Sequence, residues 1–155
     1  MITGKPGPLF FRNDYAQRLK KLFEPSIVSY LPLDEPSGSV AFDYSGKGNP
    51  GAYTGVTLGQ AGIGDGRASP FFDGTSDYVN WYSAALAAGF NGAEGTLMVW
   101  AKVANAGVWT DAALRRVAYL SVDANNITYI YKNNTNDLMV ARQIAGGTSK
   151  LLTFS

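Results

Sequence analysis

The side chains able to do chemistry in this 155-residue chain are carboxylates, amides, hydroxyls and aromatic rings, because histidine and cysteine are both absent. That removes thiol chemistry, the commonest general base and the commonest transition-metal ligand together. A serine or threonine nucleophile would then need a lysine base, and no Ser-x-x-Lys pattern occurs. Sugar recognition asks less of the residues, since aromatic faces stack on pyranose rings while Asn, Asp and Arg read hydroxyls. Tyr129, Tyr131, Trp81, Tyr82 and Trp109 are the available platforms. Tyr129 and Tyr131 share one face of an extended segment, as a period of two requires, and Asn133, Asn134 and Asn136 follow directly. The competing reading is that such tyrosines are ordinary half-buried sheet packing.

The carboxylates sit at punctuation. Asp43-Tyr44-Ser45-Gly46, Asp65-Gly66 and Asp73-Gly74 each pair an acid with a glycine, which suits tight connections between antiparallel strands. Asp43 can bond the amides of its own turn, and Asn49-Pro50-Gly51 reverses the chain again.

Stepping outward from these residues, charged side chains are only 16% of the sequence, aromatics reach 13%, and 18 positions are glycine. This is the composition of an all-β sandwich. A chain of this length buries about two-thirds of its unfolded surface as one domain. Net charge is +1, with five basic and two acidic residues among the first 25. No basic stripe interleaved with aromatics exists, which argues against nucleic acid, and no apolar run approaches the ~18 residues of a membrane span. Met1 to Pro6 lacks the apolar core of a signal peptide, so the general secretory route is not expected.

Residues 1–8, with four Gly and Pro, read as an extended arm. Asn13 or Asp14 caps a short helix to about Glu24, where Pro25 ends it; Tyr15, Leu19, Leu22 and Phe23 share one face. Residues 1–25 thus form either a helix on its own sandwich or an anchor that docks another subunit, and residues 26–155 form the β-domain. Strands are expected at 27–33, 53–58, 69–72, 78–81, 96–103, 116–122, 127–132, 138–144 and 151–154, with a helical turn at 83–90 and a hairpin connection at 133–137. Segment 96–103 is apolar on both faces and is expected at the centre, with Trp100 and the Phe71-Phe72 pair buried. The run Leu151-Leu152-Thr153-Phe154 has no polar exit, so either the sandwich is incomplete there or a neighbour covers that edge.

Residues 30 to about 145 resemble the concanavalin A-like lectin/glucanase superfamily, in the laminin-G-like branch found in bacterial surface proteins and phage tail or capsid-fibre proteins. The resemblance rests on an ordered set: Tyr30-Leu31-Pro32-Leu33-Asp34-Glu35 with Ser37-Gly38, Asp43-Tyr44-Ser45-Gly46-Lys47-Gly48-Asn49 with Gly51, Phe72-Asp73-Gly74 with Asp77-Tyr78-Val79, and Glu94-Gly95-Thr96 leading to Trp100. It implies an antiparallel two-sheet jelly-roll sandwich. It also implies calcium, which relatives hold with carboxylates and loop carbonyls; the ligands here would be Asp34, Asp43, Asn49, Asp73 and Asp77, with Asp43 foremost. The alternative is that these acids only cap turns. Some members cleave glucans with carboxylates on one strand, but Glu24, Glu35 and Glu94 lie in no acidic alternation, and Asp34 and Glu35 are adjacent and point apart. Catalysis is therefore not expected. The family's later strands, one bearing a tryptophan-histidine pair, have no counterpart. The implied role is a non-catalytic structural or attachment domain of a virion or extracellular assembly, with other protein subunits and surface polysaccharide as partners. The rivals are a carbohydrate-binding adhesion module and a glycosidase fragment.

Overall fold

The computed structural model describes residues 12–62, 66–90, 95–134 and 139–154. Their backbone is mostly strand in three antiparallel sheets, with two short α-helices, so the chain is all-β. It divides into two units, residues 1–95 and 96–155.

The first unit opens with helix α1 (Arg12–Phe23), which stops where the sequence places Pro25. Three strands, β1 (Val40–Ala41), β2 (Gly51–Thr54) and β5 (Tyr78–Asn80), form a sheet in the order β1-β2-β5. A separate antiparallel pair joins β3 (Thr57–Ala61) to β4 (Ala68–Phe71), with a register shift between Thr57 and Gln60. Helix α2 (Ala84–Gly89) begins at Ser83, whose hydroxyl accepts from the Leu86 amide at 3.0 Å.

The register of the three-stranded sheet separates two faces. Ala41, Gly51, Tyr53 and Val79 line one, and Ala41 is fully buried. A Cβ at Gly51 would lie 2.6 Å from Val79 Cγ1, so only glycine lets β2 approach there. Val40, Ala52, Thr54, Tyr78 and Asn80 occupy the opposite face, and all five are exposed.

The second unit is a meander of β6 (Arg115–Asp123), β7 (Asn126–Lys132), β8 (Met139–Ala145) and β9 (Thr148–Phe154), each pairing only with its chain neighbour. Gly146 and Gly147, both at positive φ, make the two-residue turn between β8 and β9. Residues 106–110 form a 3-10 turn before the meander.

Seven expected elements are found within a residue or two of their expected ends: α1, α2, β4, β5 and the β6, β7 and β8 strands; β9 begins three residues early. The connection 133–137 does join β7 to β8, although residues 135–138 lie outside those described. Four expectations need correction. Residues 27–33 are irregular, because Pro32 lacks an N–H and Leu33 sits at φ 57°, so no ladder forms. Segment 53–58 is broken into β2 and β3 by Gly55 at φ 75°. Residues 96–103 make no strand, and Trp100 is 74% exposed rather than buried. Apolar side chains on both faces stabilise a strand only when a neighbouring strand takes its amides, and none does so among the described residues. Phe71 and Phe72 are likewise exposed rather than buried.

Candidate functional site

Where residues 27–33 lack a ladder, side chains take up the Tyr30 amide and the Val28 carbonyl. The Asp43 carboxylate accepts four hydrogen bonds: Oδ1 from the Tyr30 and Ser45 amides, both at 2.9 Å, and Oδ2 from the Ser45 hydroxyl at 2.7 Å and the Asn49 amide at 2.8 Å. Asn49, 3% exposed, continues the network. Its Nδ2 donates to the Val28 carbonyl, its own carbonyl accepts from Ser29 Oγ, and its Oδ1 accepts from Ser83 Oγ. Trp81 Nε1 donates to Ser29 Oγ at 3.0 Å. One acid and one amide thus fasten the 28–30 segment, the 43–49 turn, the end of β5 and the cap of α2. Beside this network lies an open cleft of about 410 Å³ lined by Pro25, Ile27, Val28, Lys47, Asn49 and Ala85, among others.

Burial pushes the Asp43 carboxyl up, but the amides of Tyr30, Asn49 and Ser45 and the Ser45 hydroxyl outweigh it and hold it below 3.8. A second buried acid completes the first unit. Glu35 is 7% exposed; its Oε1 accepts from the Phe42 amide at 2.8 Å and its Oε2 from the Tyr53 hydroxyl at 2.6 Å. Burial, the Glu35 hydrogen bond and the negative charges of Glu35 and Asp34 push the Tyr53 hydroxyl well above its ordinary range.

Asp73 repeats the Asp43 device at the surface. Its Oδ1 accepts from the Thr75, Ser76 and Asp77 amides and its Oδ2 from the Ser76 hydroxyl, while Asp77 Oδ2 accepts from the Asp73 amide. The Thr75 and Ser76 amides lead in holding the Asp73 carboxyl below 3.8.

In the second unit, Tyr119, Tyr129 and Tyr131 form a ring cluster on one sheet face. Tyr129 and Tyr131 stack with centroids 4.7 Å apart, and Tyr119 lies 5.9 Å from Tyr129. Tyr131 is largely buried, and Tyr119 is half exposed. Arg142 Nη1 donates to the Tyr129 hydroxyl at 3.2 Å, and the Arg116 guanidinium sits 5.6 Å from the Tyr119 ring centre. Off that face, Lys132 is buried, and its Nζ meets Asp111 Oδ1 at 2.7 Å; Arg115 meets Asp111 Oδ2 at 2.6 Å. The bonds from Lys132 and then Arg115 hold the Asp111 carboxyl far below the usual carboxylate range.

Of the five candidate calcium ligands, Asp43 and Asn49 share one network, and Asp73 and Asp77 share one turn. Asp34 is half-buried beside Glu35. No group of three or more acidic residues converges among the described residues. Among the candidate sugar contacts, Tyr129 and Tyr131 do stack, Asn133 is half-buried and Asn134 exposed at the end of β7, and Trp81 is engaged with Ser29 in the first unit. On α1, Leu19 is half-buried while Leu22 and Phe23 are exposed; the Tyr15 side chain lies outside those described. Lys20 of α1 reaches the Asp43 turn, its Nζ lying 3.0 Å from where a Gly46 Cβ would stand. The roles of Glu35, Tyr53, Asp111, Lys132 and Arg142 were not singled out from the sequence. Each depends on a partner 7 to 21 residues away, and Arg142 comes opposite Tyr129 only through the strand register.

These acids set the response to pH. A carboxyl whose folded value is below 3.8 contributes stability that is complete above that value and is lost as pH falls through the folded value. The thermal midpoint is therefore expected to be level from neutrality to about pH 5 and to fall below about pH 4. Scanning calorimetry across that range checks it; a midpoint that rises on acidification contradicts the fastening role.

Among the described residues no helix is long and apolar enough to cross a membrane. Comparison of the chain with protein-family models, with curated proteins and with solved structures returns no match.

Proposed function

We propose that the chain is a non-catalytic structural and attachment domain of a larger assembly, virion-type or extracellular, built on the jelly-roll sandwich that its sequence resembles. The observation that carries this reading is the exposed face of the β1-β2-β5 sheet with the large apolar side chains on and beside it. Val40 and Tyr78 on that face are 40% and 52% exposed, and Phe42 and Tyr82, just beyond the ends of β1 and β5, are 56% and 75% exposed. Surfaces of this kind mark contacts with other protein. The acids support the non-catalytic part, since Asp43, Glu35, Asp73 and Asp111 are each engaged by backbone or side-chain donors of their own unit. Exposed Leu22 and Phe23 on α1 offer a second apolar contact.

Light scattering on the full chain tests the reading. The native chain is expected to self-associate, and both the Phe42→Ser/Tyr82→Ser and the Leu22→Asp/Phe23→Asp variants are expected to shift it toward monomer while keeping the circular dichroism of the folded state. A monomeric native chain at every concentration removes the subunit reading.

A further inference from the structure

We infer that the tyrosine-bearing face of the second unit's sheet binds an acidic polysaccharide, its rings stacking on sugar faces and Arg142 taking a uronate carboxylate. The register places Tyr119, Tyr129, Arg142 and Leu151 in one line across β6, β7, β8 and β9. That line spans three interstrand spacings, about 14 Å. It begins on a half-exposed ring, crosses a stacked pair and reaches a guanidinium. The Arg142 side chain is fixed on two sides, its Nε donating to Ser149 Oγ at 2.9 Å and its Nη1 to Tyr129 at 3.2 Å. A guanidinium has five N–H donors, so further donors remain for a ligand once it is held this way.

This face carries positive charge beside its rings. Lys132 and Arg115 both engage the Asp111 carboxylate, which offsets one of their two charges. Arg116 and Arg142 pair with no carboxylate among the described residues, and the positions sharing their face in the register hold no acid. Two uncompensated cations over a tyrosine surface complement an anion that also has an apolar ring face. A uronic acid polymer presents both at each residue, together with hydroxyls for Tyr129 and Ser149. An acidic peptide would offer this flat face only its charge.

The inference deepens the attachment reading above but fails separately from it. Calorimetric titration of the full chain with oligogalacturonate tests it, with neutral dextran oligomers and poly-L-glutamate as comparators. Binding of the uronate oligomer is expected, with dextran and poly-L-glutamate at least about tenfold weaker. Arg142→Gln and Tyr119→Ala should each weaken the uronate oligomer by about tenfold or more, and Tyr119→Phe should retain it. Tyr119 is half exposed, so its replacement keeps a readout should Arg142→Gln fail to fold. Equal affinity for poly-L-glutamate, no binding of oligogalacturonate by the folded chain, or an unchanged affinity in Tyr119→Ala each overturns the inference. A monomeric chain that still binds oligogalacturonate removes the subunit reading and leaves this one standing.

Discussion

Asp43→Ala is expected to destabilise the chain by on the order of 3 kcal/mol, because it strips acceptors from three backbone amides and one hydroxyl at once. Bonds to a charged acceptor contribute about 1.5–3 kcal/mol each, but water can reach part of this turn, so the four do not sum. The Ser45 and Asn49 groups cost most to strand, since both residues are buried and the other polar side-chain and carbonyl atoms of Asn49 are committed to Val28, Ser29 and Ser83. Asp43→Asn keeps one oxygen and sets a donor against donors, so it should fall between wild type and alanine. Asp73→Ala, in a turn open to solvent, should cost clearly less. Denaturant titration of the three variants ranks them, and an Asp73 effect as large as that of Asp43 refutes the ranking.

Asp111→Ala should unfold the second unit first. Lys132 is 2% exposed, and removing the carboxylate takes away the acceptor that its ammonium and Arg115 share. Removing the partner of a buried cation is destabilising even when that partner is itself exposed, and a clear fall in melting temperature is expected. Lys132→Met removes the buried charge itself and keeps the volume, so it should be much milder. The contrast between the two is the diagnostic. If both variants melt within about 2 °C of wild type, Lys132 is not the buried partner described here.

The parts of the fold legible in the sequence are those made by neighbours in the chain. The β6 to β9 meander declares itself through alternation in Ile127-Thr128-Tyr129-Ile130-Tyr131 and through two-residue turns such as Gly146-Gly147. Helix α2 is readable from Ser83 and its alanines. What was not legible depends on contacts distant in the chain. Residues 27–33 have the composition of a strand, yet the Tyr30 amide goes to Asp43 and the Val28 carbonyl to Asn49, and nothing local reveals that substitution. Segment 96–103 shows the converse, with strand composition and no ladder among the described residues. In the sequence Glu35 is only the neighbour of Asp34, pointing away from it, because its bond to Tyr53 exists only after β1 and β2 pair. At the candidate surfaces, Tyr129 and Tyr131 were legible from period two. Arg142 and Tyr119 join them only through register.

The most direct test of the claim that acids fasten this chain's bends is amide hydrogen exchange at Tyr30, Ser45 and Asn49, followed by NMR in the native chain and in Asp43→Asn. Slow exchange at all three amides in the native chain, lost together in the variant, is the predicted result. Exchange at unstructured-chain rates in the native protein, or protection that survives the substitution unchanged, contradicts it.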